Sequence, residues 1–479
     1  MKIALASYDN SQGKGTGYYP PMHLCNLGTG LRQAGYEVRV FDYSGPFSAM
    51  DSYWREIADF GPDMVGLTCF TPGVSRFHQL TKRLREHVRD AALVVGGPHP
   101  SVWPKWTLEN LPQFDYAMRG ECDHAVVALA EMIDGRRDQS EVPGLIHRRG
   151  EEIVCNPADY IKDLDSLPQI DRTLLDRYYK VGLYWDMAAR GPLDVMISSR
   201  GCPYDCSFCF KVDRRYRFRG AEHVMIEFDE LRRRGVKSVH VQDDAFTANK
   251  KRCADVADAL VAGKHRLWIK VRSRVNSVDE TILRKLKRAG VRWIIYGLES
   301  GSQTMLDSMN KRSTVAMNER AVSLTKKVGI ACYGEIMIGM PGETSETIDE
   351  TINFLLKYKP IIGTAAVLYP LPGTRVYDEA RQAGTLMGDW STNGPWPWVK
   401  LPWSNSREDL AAESRRINRI VQRDPGTILY FLRTHLRTIS WNQIKYLAKL
   451  ARRHLRELCL PKRREAAKPP QSRCVPARG

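Results

Sequence analysis

Three cysteines, Cys202, Cys206 and Cys209, stand with gaps of three and two residues in the run Ser199-Arg200-Gly201-Cys202-Pro203-Tyr204-Asp205-Cys206-Ser207-Phe208-Cys209. Thiolates are soft ligands suited to iron–sulfur clusters, and three of them leave one iron of a four-iron, four-sulfur cluster open to a non-protein donor. An open iron implies chemistry. A zinc site would want a fourth Cys or His close by, which this loop does not offer. The remaining cysteines (Cys25, Cys69, Cys122, Cys155, Cys253, Cys332, Cys459 and Cys474) are scattered and read as small core or surface residues.

The elements that must position the thiols form a βα series. Short apolar runs at 195–198, 238–242, 268–271, 293–296, 335–338 and 365–369 read as strands separated by helical stretches such as 278–289. Six repeats predict a partial (β/α)6 barrel of the TIM type over 191–380, with the thiols just past its first strand. Before it, runs at 3–6, 38–41, 64–67, 93–95 and 116–118, with a helical stretch at 77–88, predict an open Rossmann-like α/β sheet over residues 1–150. Ligands bind such sheets at the carboxyl ends of the strands. Three polar loops fall there: Thr68-Cys69-Phe70-Thr71-Pro72-Gly73, Gly96-Gly97-Pro98-His99-Pro100-Ser101 and Arg119-Gly120-Glu121. Residues 151–190, with Asp163, Asp165, Pro168 and Asp171, lack periodicity and read as a connector. A lid and helical segment over 381–460 and a basic, disordered tail over 461–479 complete the reading.

The cysteine run and the strands behind it resemble the radical S-adenosylmethionine superfamily. That resemblance implies a [4Fe-4S] cluster on the three thiols, with the open iron chelated by the methionine end of S-adenosyl-L-methionine. It further implies reductive cleavage of the sulfonium to a 5′-deoxyadenosyl radical that abstracts hydrogen from an unreactive carbon. Phe208 matches the usual aromatic position. Gln242-Asp243-Asp244 ends the second strand, where the superfamily receives the methionine amino group, and the choice between Asp243 and Asp244 stays open. Arg274 suits the methionine carboxylate through two parallel donors, with a surface arginine as the competing reading. Glu299 and Ser300, in Gly297-Leu298-Glu299-Ser300-Gly301, look like the fourth-strand signature that meets the ribose. Gly339, in Gly339-Met340-Pro341-Gly342-Glu343-Thr344, and the turn Leu371-Pro372-Gly373-Thr374 resemble the fifth- and sixth-strand turns near adenine.

A Rossmann-like domain ahead of this barrel, with Tyr19-Pro20-Pro21 and the three strand-end loops, looks like the cobalamin-binding subgroup. The resemblance spans roughly 1–380 and implies a corrinoid near Thr68, Cys69, Phe70, Gly96, Gly97, His99, Ser101, Gly120 and Glu121. The D-x-H-x-x-G run of the cobalamin-dependent mutases is missing, which argues against His99 as a cobalt ligand. A retained domain without corrinoid is the alternative. Both cofactors together imply methyl transfer to a carbon of a biosynthetic intermediate, with a non-methylating reaction such as the oxidative cyclisation of the anaerobic magnesium-protoporphyrin ester cyclase as the second reading.

Bulk properties bound the partners. With 43% hydrophobic and 27% charged residues, the chain reads as globular and cytoplasmic, without a signal peptide or a membrane span of about 18–20 apolar residues. Net charge is +17, and residues 441–479 hold eleven Lys and Arg against two Glu. No nucleic-acid signature accompanies that charge, so no specific nucleic acid is expected. A basic amphipathic helix predicted at 441–458 suggests peripheral membrane contact, with packing on the barrel as the alternative. The expected partners are a small-molecule substrate and an external electron donor of the flavodoxin or ferredoxin type. Trp390, Trp396, Trp398 and Trp403 could stack on a planar substrate or serve as packing.

Overall fold

The computed structural model describes residues 1–8, 17–43, 50–391 and 396–435. The helix expected at 441–458 and the tail at 461–479 lie outside the described residues. Met1–Thr438 forms one compact unit.

Its first sheet has seven strands in the order Glu37–Tyr43, Lys2–Tyr8, Met64–Thr68, Ala92–Gly96, Tyr116–Met118, Leu145–Arg149 and Glu152–Cys155. The first five are parallel and correspond to the five apolar runs. The inner strands are apolar on both faces because helices cover both, while the edge strand Glu37–Tyr43 exposes Glu37 and Arg39. Ile3, Leu5, Val40 and Met64 face one core, whereas Ala4, Ala6, Val65 and Leu67 face the other. The chain order reverses between Lys2–Tyr8 and Met64–Thr68, which opens a crevice at the carboxyl ends of those strands.

The last two strands are antiparallel, and the turn that joins them contains Gly150 at φ +63°. A boundary at residue 150 therefore cuts a hairpin, and Glu152–Cys155 completes the first sheet. The stretch that follows is built of short capped turns, which carry no sequence period. Asp163 caps Leu164–Ser166, Asp171 caps Arg172–Leu175, and Trp185–Asp186 pairs with Gly17–Tyr18.

The second sheet is wholly parallel and runs in chain order: Leu193–Met196, Ser238–Val241, Trp268–Ser273, Val291–Glu299, Ala331–Ile338 and Ile361–Val367. Val239, Ile269, Val271, Ile294 and Ile338 pack outward with residues of the flanking helices, such as Leu231, Leu260, Leu283 and Leu355. Side-chain caps at Asn249, Asp279, Thr314 and Thr344 start four of those helices. No helix among the described residues is long and apolar enough to cross a membrane.

Arg172 ties the connector to the barrel. Its side chain is 1% exposed and donates to Asp194 at 3.0 Å and to Glu227, which also accepts from Arg219. Burial opposes ionisation of Glu227, yet Arg172 and Arg219 overcome it and hold its carboxyl below the usual range. Removing one partner of such a set leaves uncompensated buried charge. Arg172→Ala is expected to lower the unfolding free energy by about 3–5 kcal/mol, read as a shifted urea midpoint at constant slope.

Candidate active site

The cluster loop leaves the barrel between two antiparallel pieces, Ser199–Arg200 and Arg217–Phe218. Gly201 makes this closure possible. It sits at φ +75°, and a side chain there would collide with the Arg215 carbonyl. Ser207 N donates to Met309 O at 2.9 Å, and Asn310 Nδ2 donates to Asp205 O at 2.6 Å, which fixes the far side of the loop. Cys202 and Cys206 are buried, Cys209 is half-buried, and none is in a disulfide. Arg274 lies over the Tyr204 ring at 3.8 Å and donates to Cys206 Sγ at 3.3 Å. Lys211 Nζ donates to Cys202 O at 3.4 Å. Burial pushes the Cys209 thiol up to about 11, with Lys211 opposing and Cys206, Asp244 and Cys202 adding to the rise.

Among the described residues, no three His, Cys, Asp or Glu side chains converge as ligands of a single metal ion would. A four-iron cluster takes one thiolate at each of three corners, so its thiols surround a volume rather than meet at a point. Three unpaired thiols flanked by the cations Arg274 and Lys211 fit such an anionic cluster.

Beside the loop lies a cavity of about 550 Å³, walled by both sheets. Thr68, Phe70, Gly96, Gly97, Gly120 and Glu121 line it from the first sheet, and Cys209, Lys211 and Asp244 line it from the barrel. Gly97 sits at φ +98°, where a side chain would strike Thr68 Cγ2 at 2.7 Å, while Gly96 faces open space. The strand ends thus offer a bare backbone edge to a large flat ligand, a cradle that fits a corrinoid.

Several expected contacts lie elsewhere. Cys69 and His99 are fully buried. His99 Nδ1 bonds Thr71 Oγ1 at 3.1 Å, and burial lowers its imidazole to about 4. Ser101 spends its hydroxyl on the fold, donating to Gly97 O at 2.9 Å and accepting from Gly120 N at 3.1 Å. These three tie neighbouring strand-end loops together and do not line the cavity.

Geometry separates Asp243 from Asp244. Asp243 is fully buried and accepts from Ser198 N, Ser198 Oγ and Ser199 N at 2.6, 2.6 and 2.9 Å. Asp244 faces the cavity, where burial by surrounding protein raises its carboxyl, with Lys211 opposing. Glu299 adopts φ +62° and pairs with Lys311 at 2.6 Å. Ser300 is buried against Thr351 at 2.8 Å. Phe208 packs in an apolar cluster with Met305, Met340 and Leu368. Gly339, at φ +92°, donates its N–H to Glu343 at 2.6 Å. Trp390 and Trp403 donate to Pro370 O and Glu343 O, Trp398 packs beside Leu401, and Trp396 meets the exposed Tyr369 at 5.0 Å.

Sequence reasoning missed the charges that join the sheets. Arg200 binds Asp123 through two bonds of 2.8 and 2.7 Å, and Arg217 binds Glu121 through two of 2.9 and 2.7 Å. Glu121 is therefore committed to the cluster-loop hairpin. His23, in the first turn of Met22–Gln33, was missed as well, because only Pro20-Pro21 marked its surroundings. It lines the cavity, walled by protein that lowers its imidazole to about 4, so it is neutral at pH 7.

Two outcomes are expected. Glu121→Gln with Asp123→Asn leaves the half-buried Arg200 without a carboxylate and Arg217 with Asp213 alone, lowering the urea-measured unfolding free energy by about 1–3 kcal/mol and opening 213–217 to trypsin. Burial pushes the Glu343 carboxyl up to about 7 against the pull of the Gly339 N–H. A raised acid favours its neutral form in the fold, so its contribution is lost as pH rises from the ordinary carboxylate range through about 7. Glu343→Gln should exceed the wild type in stability by about 2–3 kcal/mol above about pH 8 and match it below about pH 4, measured by denaturant titration at each pH.

Comparison with known proteins agrees with this geometry. Residues 196–355 match the radical SAM superfamily and residues 13–130 match the B12 binding domain. The chain is 28% identical to an uncharacterized methyltransferase of Pyrococcus horikoshii, over 75% of this chain and 78% of that protein. It is also 28% identical to the anaerobic magnesium-protoporphyrin IX monomethyl ester cyclase of Cereibacter sphaeroides, over 78% of this chain but only 62% of that longer protein. In fold it resembles the radical S-adenosylmethionine methyltransferase TsrM of Kitasatospora setae, with a TM-score of 0.69 and 21% identity over 87% of this chain and 88% of that one. A B12-binding sheet and a radical SAM barrel, sharing one cavity at their strand ends, make this chain a member of the cobalamin-dependent radical SAM enzymes.

Proposed function

We propose that the protein is a cobalamin-dependent radical SAM C-methyltransferase acting on an unactivated carbon of a biosynthetic intermediate. The observation that carries this reading is the single cavity bounded by the glycine edge at Gly96 and Gly97 and by Cys209, Lys211 and Asp244. When bound, the cluster with S-adenosylmethionine supplies a carbon-centred radical and the corrinoid supplies a transferable methyl group.

The chain's own residues have the following tasks. Cys202, Cys206 and Cys209 would hold three irons, with Arg274 and Lys211 offsetting the charge of the thiolates. Asp244 would accept hydrogen bonds from the methionine ammonium, held in place because its neighbour Asp243 locks the strand end to Ser198 and Ser199. Thr68, Gly96, Gly97 and Gly120 would hold the corrinoid, with Phe70 and the neutral His23 also facing it. Apolar walls such as Leu5, Met64, Val94 and Met118 exclude water from the space between. Reduction requires an external donor of the flavodoxin or ferredoxin type. Peripheral membrane contact through 441–458 remains part of the proposal, tested by liposome co-sedimentation with and without that segment.

Similarity to the Cereibacter cyclase favours a second reading, a non-methylating oxidative cyclisation. Product counting separates the two. Methyl transfer yields both S-adenosylhomocysteine and 5′-deoxyadenosine in anaerobic turnover of the reconstituted enzyme, whereas cyclisation yields no S-adenosylhomocysteine. Replacing Cys202, Cys206 or Cys209 by Ala should abolish 5′-deoxyadenosine formation in the same assay. Turnover that persists without a cluster would overturn both readings.

A further inference from the structure

The inner face of the barrel changes character along its strands. Near their amino ends, Trp268, Trp293, Ala331 and Ile361 form an apolar plug closed by Tyr430 and Phe431. Towards the carboxyl ends, where the cluster loop lies, the same face carries Lys270, Arg272 and Glu335, while the intervening residues Ile269, Val271 and Ile336 belong to the outer core. Lys270 is held by Asp186 and donates to Tyr19 Oη at 2.9 Å. Arg272 reaches past the intervening strand to pair with Glu335.

Gly297 stands on that intervening strand in register with Glu335, and a side chain there would run into the Glu299–Lys311 pair. Arg272 and Glu335 keep 44% and 39% of their side-chain surface open, so they border open space rather than core. His240, on the neighbouring strand, is 5% exposed, and neither ring nitrogen has a hydrogen-bond partner. Its ring lies 5.2 Å from that of Tyr19. Leaving a buried polar group unsatisfied costs about 1–3 kcal/mol, so such a group is normally met by protein, water or a ligand.

We propose that this layer is the substrate site, and that the substrate is a small zwitterion carrying a carboxylate and an amine. The inference rests on the methyl-transfer reading. Arg272 receives the carboxylate in a two-point bond, Glu335 receives the ammonium, and a nitrogen of His240 completes the contact. The Arg272–Glu335 pair exchanges one partner for another of the same charge, so neither ion is stripped bare. A neutral, apolar substrate pressed against the pair would desolvate both ions with nothing in return.

The test uses reconstituted holoenzyme with reductant, deuteriomethyl S-adenosylmethionine and a small-molecule cell extract, read by mass spectrometry. The expected product gains deuterium and is retained on both cation and anion exchangers. Arg272→Met and Glu335→Gln are each expected to cut labelling about tenfold or more. Both should keep the wild-type iron content, thermal midpoint and extract-independent release of 5′-deoxyadenosine. A labelled product without ionisable groups, or variants that label as well as the wild type, would overturn the proposal. So would loss of extract-independent cleavage in either variant, since the pair would then serve S-adenosylmethionine itself. A zwitterion consumed from the extract by the wild type but not by the variants, with no deuterium incorporated, would uphold the site and sink the methyl transfer.

Discussion

Two guanidinium groups, Arg200 and Arg217, sit on the paired strands that carry the cluster loop, and two carboxylates from the first sheet, Asp123 and Glu121, neutralise them. The four side chains are only 10–17% exposed. In such surroundings a charge separated from its partner is costly, so the pairs fix the distance between the sheets as well as their contact. The cavity follows from that constraint, because both sheets contribute to its wall.

Parallel strands explain why the clamp forms where it does. Strand-end loops of a parallel sheet gather at its carboxyl side, and the two sheets present those sides to each other. Loops that resemble ligand contacts therefore divide into two kinds. Gly96 and Gly97 expose backbone to the cavity, whereas Ser101 and His99, a few residues on, use their polar atoms to join one loop to the next. The same division separates Asp244 from Asp243.

Inside the barrel, charge is arranged in layers above an apolar plug. Lys270 with Asp186, Arg272 with Glu335 and Lys311 with Glu299 each balance locally. Balanced pairs avoid the cost of isolated buried ions while leaving a polar lining. Gly297 is the residue that permits this crowding. Its role is invisible from its neighbours in the chain, since the partners it makes room for come from other strands.

Spacing and periodicity in the amino-acid sequence by themselves determined the two βα series, the thiol loop after the sixth-from-last strand and the glycine-rich strand ends. All are local properties, written within a few consecutive residues. Strand positions came through because each strand buries apolar residues on at least one face, which leaves short apolar or alternating runs. The hairpin ending at Cys155 did not, because its strands, Leu145-Ile146-His147-Arg148-Arg149 and Glu152-Ile153-Val154-Cys155, break their apolar runs with charged residues. Only the tertiary structure decided that Asp244 rather than Asp243 faces the cavity, that Glu121 belongs to Arg217, and that His23 lines the cavity while His240 lies buried. Adjacent carboxylates on one strand end look alike until a third element, here Ser198 and Ser199, claims one of them. Charge pairing and burial are relations between distant residues, and no window of sequence contains both members.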